Sequence, residues 1–226
     1  MKMKKTYLLI AIKAGILAGI YGCAGSAQKT DYLSDYSKLE AVSKSNYSYD
    51  NSASSNYKEF ILDPVVVHFQ PDSKVAAAES EGNLTKEDIN DLTNYFGSAI
   101  IDAVKESGYE LVYRTGAGVA RIRVAITDLR KTNIVFAAVP TSRVVTGIGV
   151  GGAGIESEIL DSVSGKQITA CVETKDGSRI PFTGLSDWGG AKYAMDKWVS
   201  QFRKQLEEMK SNNITNDNKI SKLQTY

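Results

Sequence analysis

Histidine, cysteine and proline are scarce in this chain: one, two and four of them among 226 residues. With His68 as the sole imidazole and few thiols, the residue types fall short of a zinc ligand set. A serine hydrolase would have to recruit the same His68, and no Gly-x-Ser-x-Gly motif accompanies it. No catalytic residue, metal ligand or cofactor therefore follows from the composition, and a cell-envelope hydrolase is kept only as the alternative to a non-enzymatic module. Acids and bases nearly cancel, 26 against 27, which leaves no basic footprint for nucleic acid. Long hydrophobic runs are missing too. The apolar stretch from Leu8 to Ile20 is broken by Lys13, whereas a membrane-spanning helix needs about 20 predominantly apolar residues.

What is present begins at the N-terminus. Lys2, Lys4 and Lys5, followed by that apolar stretch and small residues, make a secretory signal pattern. Ile20-Tyr21-Gly22-Cys23 resembles the bacterial lipobox, with an aliphatic residue three places before the cysteine and a small one just before it. The expectation is a signal peptide over residues 1–22 and lipidation at Cys23, with the membrane as a partner through the anchor. Each buried methylene contributes about 0.8 kcal/mol, so two acyl chains hold a protein stably where one is marginal. Ala24 stands where an aspartate would signal retention at the inner membrane. Its presence favours the outer membrane and a periplasm-facing domain. With Cys23 acylated, Cys171 has no thiol left to pair with, so packing must hold the fold.

Residues 23–57 are rich in Ser, Asn, Asp and Tyr without sustained periodicity, which suits a lipidated N-terminus and a flexible tether. The tyrosines Tyr32, Tyr36, Tyr47, Tyr49 and Tyr57 concentrate there. Their amphipathic rings suit a headgroup interface or a docking segment, or they belong to an unordered linker. Residues 58–210 carry the periodic patterns of one domain, and residues 211–226, rich in Asn and Lys, read as a disordered tail.

Within the domain, Phe60 to Phe69 alternates as a strand confined by Pro64 and Pro71. Thr85 and Asp88 form a capping box ahead of a helix whose apolar face is Ile89, Leu92, Phe96, Ala99, Ile100 and Ala103, ended at Gly108. Ala120, Ile122, Val124 and Ile126 point inward from a long strand, with Arg121 and Arg123 outward. Ile155 to Asp161 and Gln167 to Thr174 read as a hairpin, where Glu156 and Glu158 would meet those arginines as exposed pairs. Ala191, Met195, Trp198, Phe202, Leu206 and Met209 mark the stripe of a second helix. The expected fold class is α+β: an antiparallel sheet of about four to six strands with two helices packed on one face.

Gly147, Gly149, Gly151, Gly152 and Gly154 invite a phosphate-loop reading, but the segment that follows reads as a strand carrying Glu156 and Glu158, so no helix N-terminus would face the anion. The aliphatics before them, from Ile134 through Val145, are many for a loop. They belong either to a strand pair in the core or to a contact surface. For the second case the candidate partner-contact residues are Val144, Val145, Gly147, Gly149, Gly151 and Gly152, facing a membrane, an envelope protein or a second copy of the chain.

The chain resembles an uncharacterised family of bacterial lipoproteins with a domain of unknown function (DUF3313-like). The resemblance is carried by Tyr32-Leu33-Ser34-Asp35-Tyr36-Ser37-Lys38-Leu39, Asp63-Pro64-Val65, the run from Arg121 to Leu129, Gly151-Gly152-Ala153-Gly154-Ile155-Glu156, and Asp161 to Gly165, continuing to Ala191 and Trp198. It implies an address in the envelope and brings no activity or catalytic residue with it. The element order also looks like that of envelope lipoproteins that assemble around secretion pores or cell-wall enzymes, a likeness at the level of fold alone.

Overall fold

The computed structural model describes residues 26–52, 56–137, 144–145, 147, 149–180 and 183–223, with side chains as far as residue 212 apart from that of Ser80. Phe60 and Ile61 are buried in β3 (Glu59–Leu62), and Pro64, which has no N–H to give a ladder, interrupts the chain before β4 (Val66–Val67). Both run parallel to β6 (Val119–Arg130), β3 along its first half and β4 further on. The direction follows from what lies between. The chain leaves β4 through α1 (Lys74–Ser80) and α2 (Lys86–Glu106), touches β3 again as β5 (Glu110–Leu111), and so re-enters the sheet the same way round.

The capping box of α2 is formed. Thr85 Oγ1 accepts from the Asp88 N–H at 3.1 Å, and the Asp88 carboxylate accepts from the Thr85 N–H at 2.9 Å. Leu92, Phe96, Ile100, Ala103 and Val104 form its buried stripe, and Gly108 turns the chain at φ +77. After β6 comes the single helical turn α3 (Ile134–Ala137), then the hairpin β7 (Gly152–Asp161) and β8 (Gln167–Asp176), antiparallel to each other and to β6. Gly165, at φ +69, lets the hairpin close. The last element, α4 (Gly189–Leu223), buries Ala191, Met195, Trp198, Leu206 and Met209 against α2 and the sheet.

Ahead of all this, β1 (Glu40–Ser43) and β2 (Asn46–Asp50) form a hairpin that pairs with the outer edge of β8. The sheet runs β1-β2-β8-β7-β6-β3-β5, with β4 also on β6. The expected antiparallel sheet of four to six strands with two helices is therefore corrected: the described residues form eight strands in a mixed sheet, with four helices. Two causes account for the difference. The helical crossover imposes parallel pairing, and the segment read as a tether supplies two strands. In β2, Asn46, Ser48 and Asp50 alternate with Tyr47 and Tyr49, a period of two in which tyrosine is the apolar member. At the other end, the tail expected to be disordered continues α4 as far as Leu223.

Candidate functional site

The two faces of the sheet are covered by different things. Ile155, Ser157 and Ile159 of β7 point toward α2 and α4, so Glu156 and Glu158 point the other way. They are not exposed: Glu156 is 0% and Glu158 1% accessible. What covers them is the N-terminal arm. Leu33 is buried against Ala170 and Val172, with Tyr32, Tyr36, Tyr47 and Tyr49 packed around it.

A carboxylate taken out of water needs donors, and the arm supplies them. Glu156 accepts from the Thr30 N–H at 2.5 Å, the Tyr32 N–H at 3.2 Å and the Tyr36 hydroxyl. Glu158 accepts from the Ser34 N–H at 3.0 Å, the Ser34 hydroxyl at 2.7 Å, the Gln167 amide at 2.9 Å and Arg123 at 2.5 Å. The arginine pair expected at the surface is thus half under cover, and Arg121 turns to Asp63 at 3.8 Å instead. Arg123 also lies over the Tyr32 ring at 4.8 Å. His68 belongs to the same clasp: its Nε2 donates to the Thr30 carbonyl at 2.8 Å and its ring meets Tyr32. Burial, with the Glu156 carboxylate against its hydroxyl, pushes the Tyr36 phenol above its ordinary range. Sequence reasoning missed this clasp. Its signal was two glutamates at i and i+2 of an otherwise apolar strand, opposite a segment whose backbone donors had no assigned partner.

The glycine-rich stretch and the aliphatics before it separate in space. Val144 and Val145 are exposed, as are Ile134, Val135 and Phe136 on α3. These side chains stand in neither a strand pair nor the core. Gly147 lies beside the Arg179 guanidinium, and Gly149 against Phe136 and Asn133. Gly151 and Gly152 turn inward, where a Cβ would meet the Arg130 carbonyl at 2.7 Å and the Lys175 carbonyl at 2.5 Å. Their lack of a side chain lets the protein's own backbones approach, and the valines are left as the outward part of the candidate contact surface. Cys23 lies outside the described residues, as do Val139, Pro140 and Arg143.

On the helix side, a cavity of 340 Å³ opens between α4 and the β2–β8 edge. Cys171 lines it, and burial followed by the nearby Glu173 carboxylate pushes its thiol up to about 12. The phenols of Tyr57 and Tyr95 are likewise held at about 12 by burial and by Asp161 and Asp196. An acid whose pKa rises on folding contributes stability that is complete below its unfolded value and is lost as pH climbs toward the folded one. For Cys171 that window runs from 9.0 to about 12. The urea midpoint should fall across it, and Cys171→Ala should flatten the early part of the fall. Iodoacetamide should alkylate the native thiol slowly at pH 8 and quickly after unfolding.

Among the described residues, no group of three or more His, Cys, Asp or Glu stands where a metal ion would be held. Among them, too, no helix is long and apolar enough to cross a membrane.

A mixed sheet with helices on one face and an N-terminal arm clasped to the other is the fold of residues 28–202, and that span matches the family described as protein of unknown function (DUF3313). The chain belongs to this family. No curated protein matches it. Among solved structures, a variant of the PelC dodecamer from Paraburkholderia phytofirmans is similar at 10% identity and a TM-score of 0.42, over 72% of this chain and 95% of that one. The PelC dodecamer from the same organism is similar at 12% identity and a TM-score of 0.41, over 69% and 96%.

Proposed function

We propose that this chain is a lipid-anchored protein of the bacterial cell envelope, held through Cys23 at the outer membrane and facing the periplasm. Its domain is a non-enzymatic binding or assembly module that contacts an envelope component, or a second copy of itself, through the β6–β7 connection. The observation that carries the reading is the exposure of Ile134, Val135, Phe136, Val144 and Val145 on that one connection. Soluble monomers rarely leave large apolar patches in water unless something binds there. The lipobox-like tetrapeptide ending in Cys23 supports the address.

Two substitutions in expressing cells test the parts separately. Radiolabelled palmitate should enter the protein and fail to enter Cys23→Ala; label retained by that variant removes the anchor. Val145 is 70% exposed, so Val145→Asp should change stability by no more than about 0.5 kcal/mol while abolishing complexes trapped by crosslinking. Crosslinked yields equal to those of the parent remove a protein partner at this surface. Turnover of ester, glycoside or peptidoglycan substrates by the purified protein would put a hydrolase in its place.

A further inference from the structure

We infer that the component met by the apolar end of the domain is the lipid surface itself, at the boundary of headgroups and acyl chains. The inference rests on the anchored reading above and names the partner of the same connection. Strand register places the pieces. Arg130 of β6, Gly152 of β7 and Asp176 of β8 lie level with one another, so the β6–β7 and β8–α4 connections leave the sheet at one end. Seven of the eleven large apolar side chains exposed among the described residues lie on those two connections, from Ile134 and Val145 on the first to Ile180 on the second. The opposite end, where β7 turns into β8, exposes Val163.

The chain leading to the anchor emerges at the apolar end as well. The Ala27 N–H donates to the Lys44 carbonyl in the β1–β2 turn, and the Thr174 N–H to the neighbouring Ser45 carbonyl. Beyond Ala27 only four residues lead back to Cys23, and four residues span at most about 14 Å. With the arm clasped from Thr30 onward, an acylated Cys23 brings this end of the sheet within reach of the bilayer. Charge at this end is mixed, because the acidic first turn of α2, with Glu87 and Asp88, reaches it through the hydrogen bond from Trp188 to Asp88. Asp128, Asp176, Glu173 and Asp187 at this end are each paired with Arg130, Lys175 or Lys131. Lys44, Arg179 and Lys197 have no carboxylate partner among the described residues and suit anionic headgroups. Exposed aliphatic and aromatic side chains with unpaired cations near them are the makeup of a segment that lies in a membrane interface.

The test places a spin label at Val145→Cys or at Val163→Cys in the full chain, with the parent protein as the background for native thiols. Envelope membranes from expressing cells are then read for collision with lipid-soluble oxygen and with a water-soluble nickel chelate. The two positions are equally exposed, at 70% and 69%, so a difference between them reports orientation. The expected result is a ratio shifted toward oxygen at 145 and toward the chelate at 163. A label at 145 that is immobilised yet inaccessible to oxygen identifies a protein contact, and overturns this inference while keeping the contact surface. Labels open to the chelate at both positions, in protein that still sediments with the membranes, overturn it too and leave the anchor intact. Protein found only in the soluble fraction removes the anchored reading on which the inference stands.

Discussion

Glu156→Ala should release the N-terminal arm and lower the stability of the folded protein by about 3 kcal/mol. The change removes the acceptor of two backbone N–H groups and of the Tyr36 hydroxyl in a region closed to water. Each buried donor left without a partner costs about 1–3 kcal/mol. The full sum is not reached, because the arm can lift off and rehydrate its donors, at which point the loss is that of Leu33 and the tyrosines against Ala170 and Val172. Undocking has its own readout: trypsin should cut after Lys29 and Lys38 in the variant and spare both in the parent. Glu156→Gln should act in the same direction, since its amide group presents donors to donors. Tyr36→Phe removes one hydrogen bond and should cost about 1 kcal/mol. A melting curve of Glu156→Ala that overlays the parent's would mean that the clasp contributes nothing.

Gly190→Ala should be at least as damaging, by about 3 kcal/mol, or a fall of roughly 6–12 °C in melting temperature for a domain of this size. At the start of α4 the backbones of Val150, Gly151, Gly177 and Gly190 cross without side chains between them. A Cβ on Gly190 would run into the Val150 carbonyl and lie 2.8 Å from the Gly151 carbonyl carbon. These are backbone atoms, so relief requires moving the helix or the strand. The junction is also tied by hydrogen bonds, from the Gly190 N–H to Thr132 at 3.0 Å and from the Gly177 N–H to the Gly151 carbonyl at 3.0 Å. Gly97 is the control. It sits inside α2, where the nearest neighbour of an added Cβ is Val65 at 3.7 Å, and Gly97→Ala should stabilise by about 0.5–1 kcal/mol. Equal melting temperatures for the two variants would contradict the packing described here.

The parts of the fold that could be read from the chain were those specified locally. The capping box at Thr85 and Asp88, the stripes of α2 and α4, and the hairpin of β7 and β8 each need only a few neighbouring residues to declare themselves. Parallel pairing of β3 with β6 could not be read that way, because its register is fixed through a helix more than twenty residues long and not through a turn. The arm was misjudged for a different reason. Its apolar members are tyrosine and leucine spaced among serine and asparagine, a composition shared with linkers, and its ordering depends on Glu156 and Glu158, more than a hundred residues away. Of the candidate contact residues, the exposure of Val144 and Val145 was anticipated as one of two cases. The inward turn of Gly151 and Gly152 depends on Arg130 and Lys175, which no motif links to them.

The clasp also sets an order of events. Thr30 and Tyr36 stand 126 and 120 positions before the glutamate they hold, and a contact across such a span closes only after the intervening chain has condensed. The segment synthesised first is therefore fastened last. Until β7 and β8 are in place, the donors of Thr30, Tyr32 and Ser34 have no carboxylate to meet. Once they are, the same residues lie strapped to the sheet by a pair of carboxylates, so the arm and the β7–β8 hairpin complete the fold together.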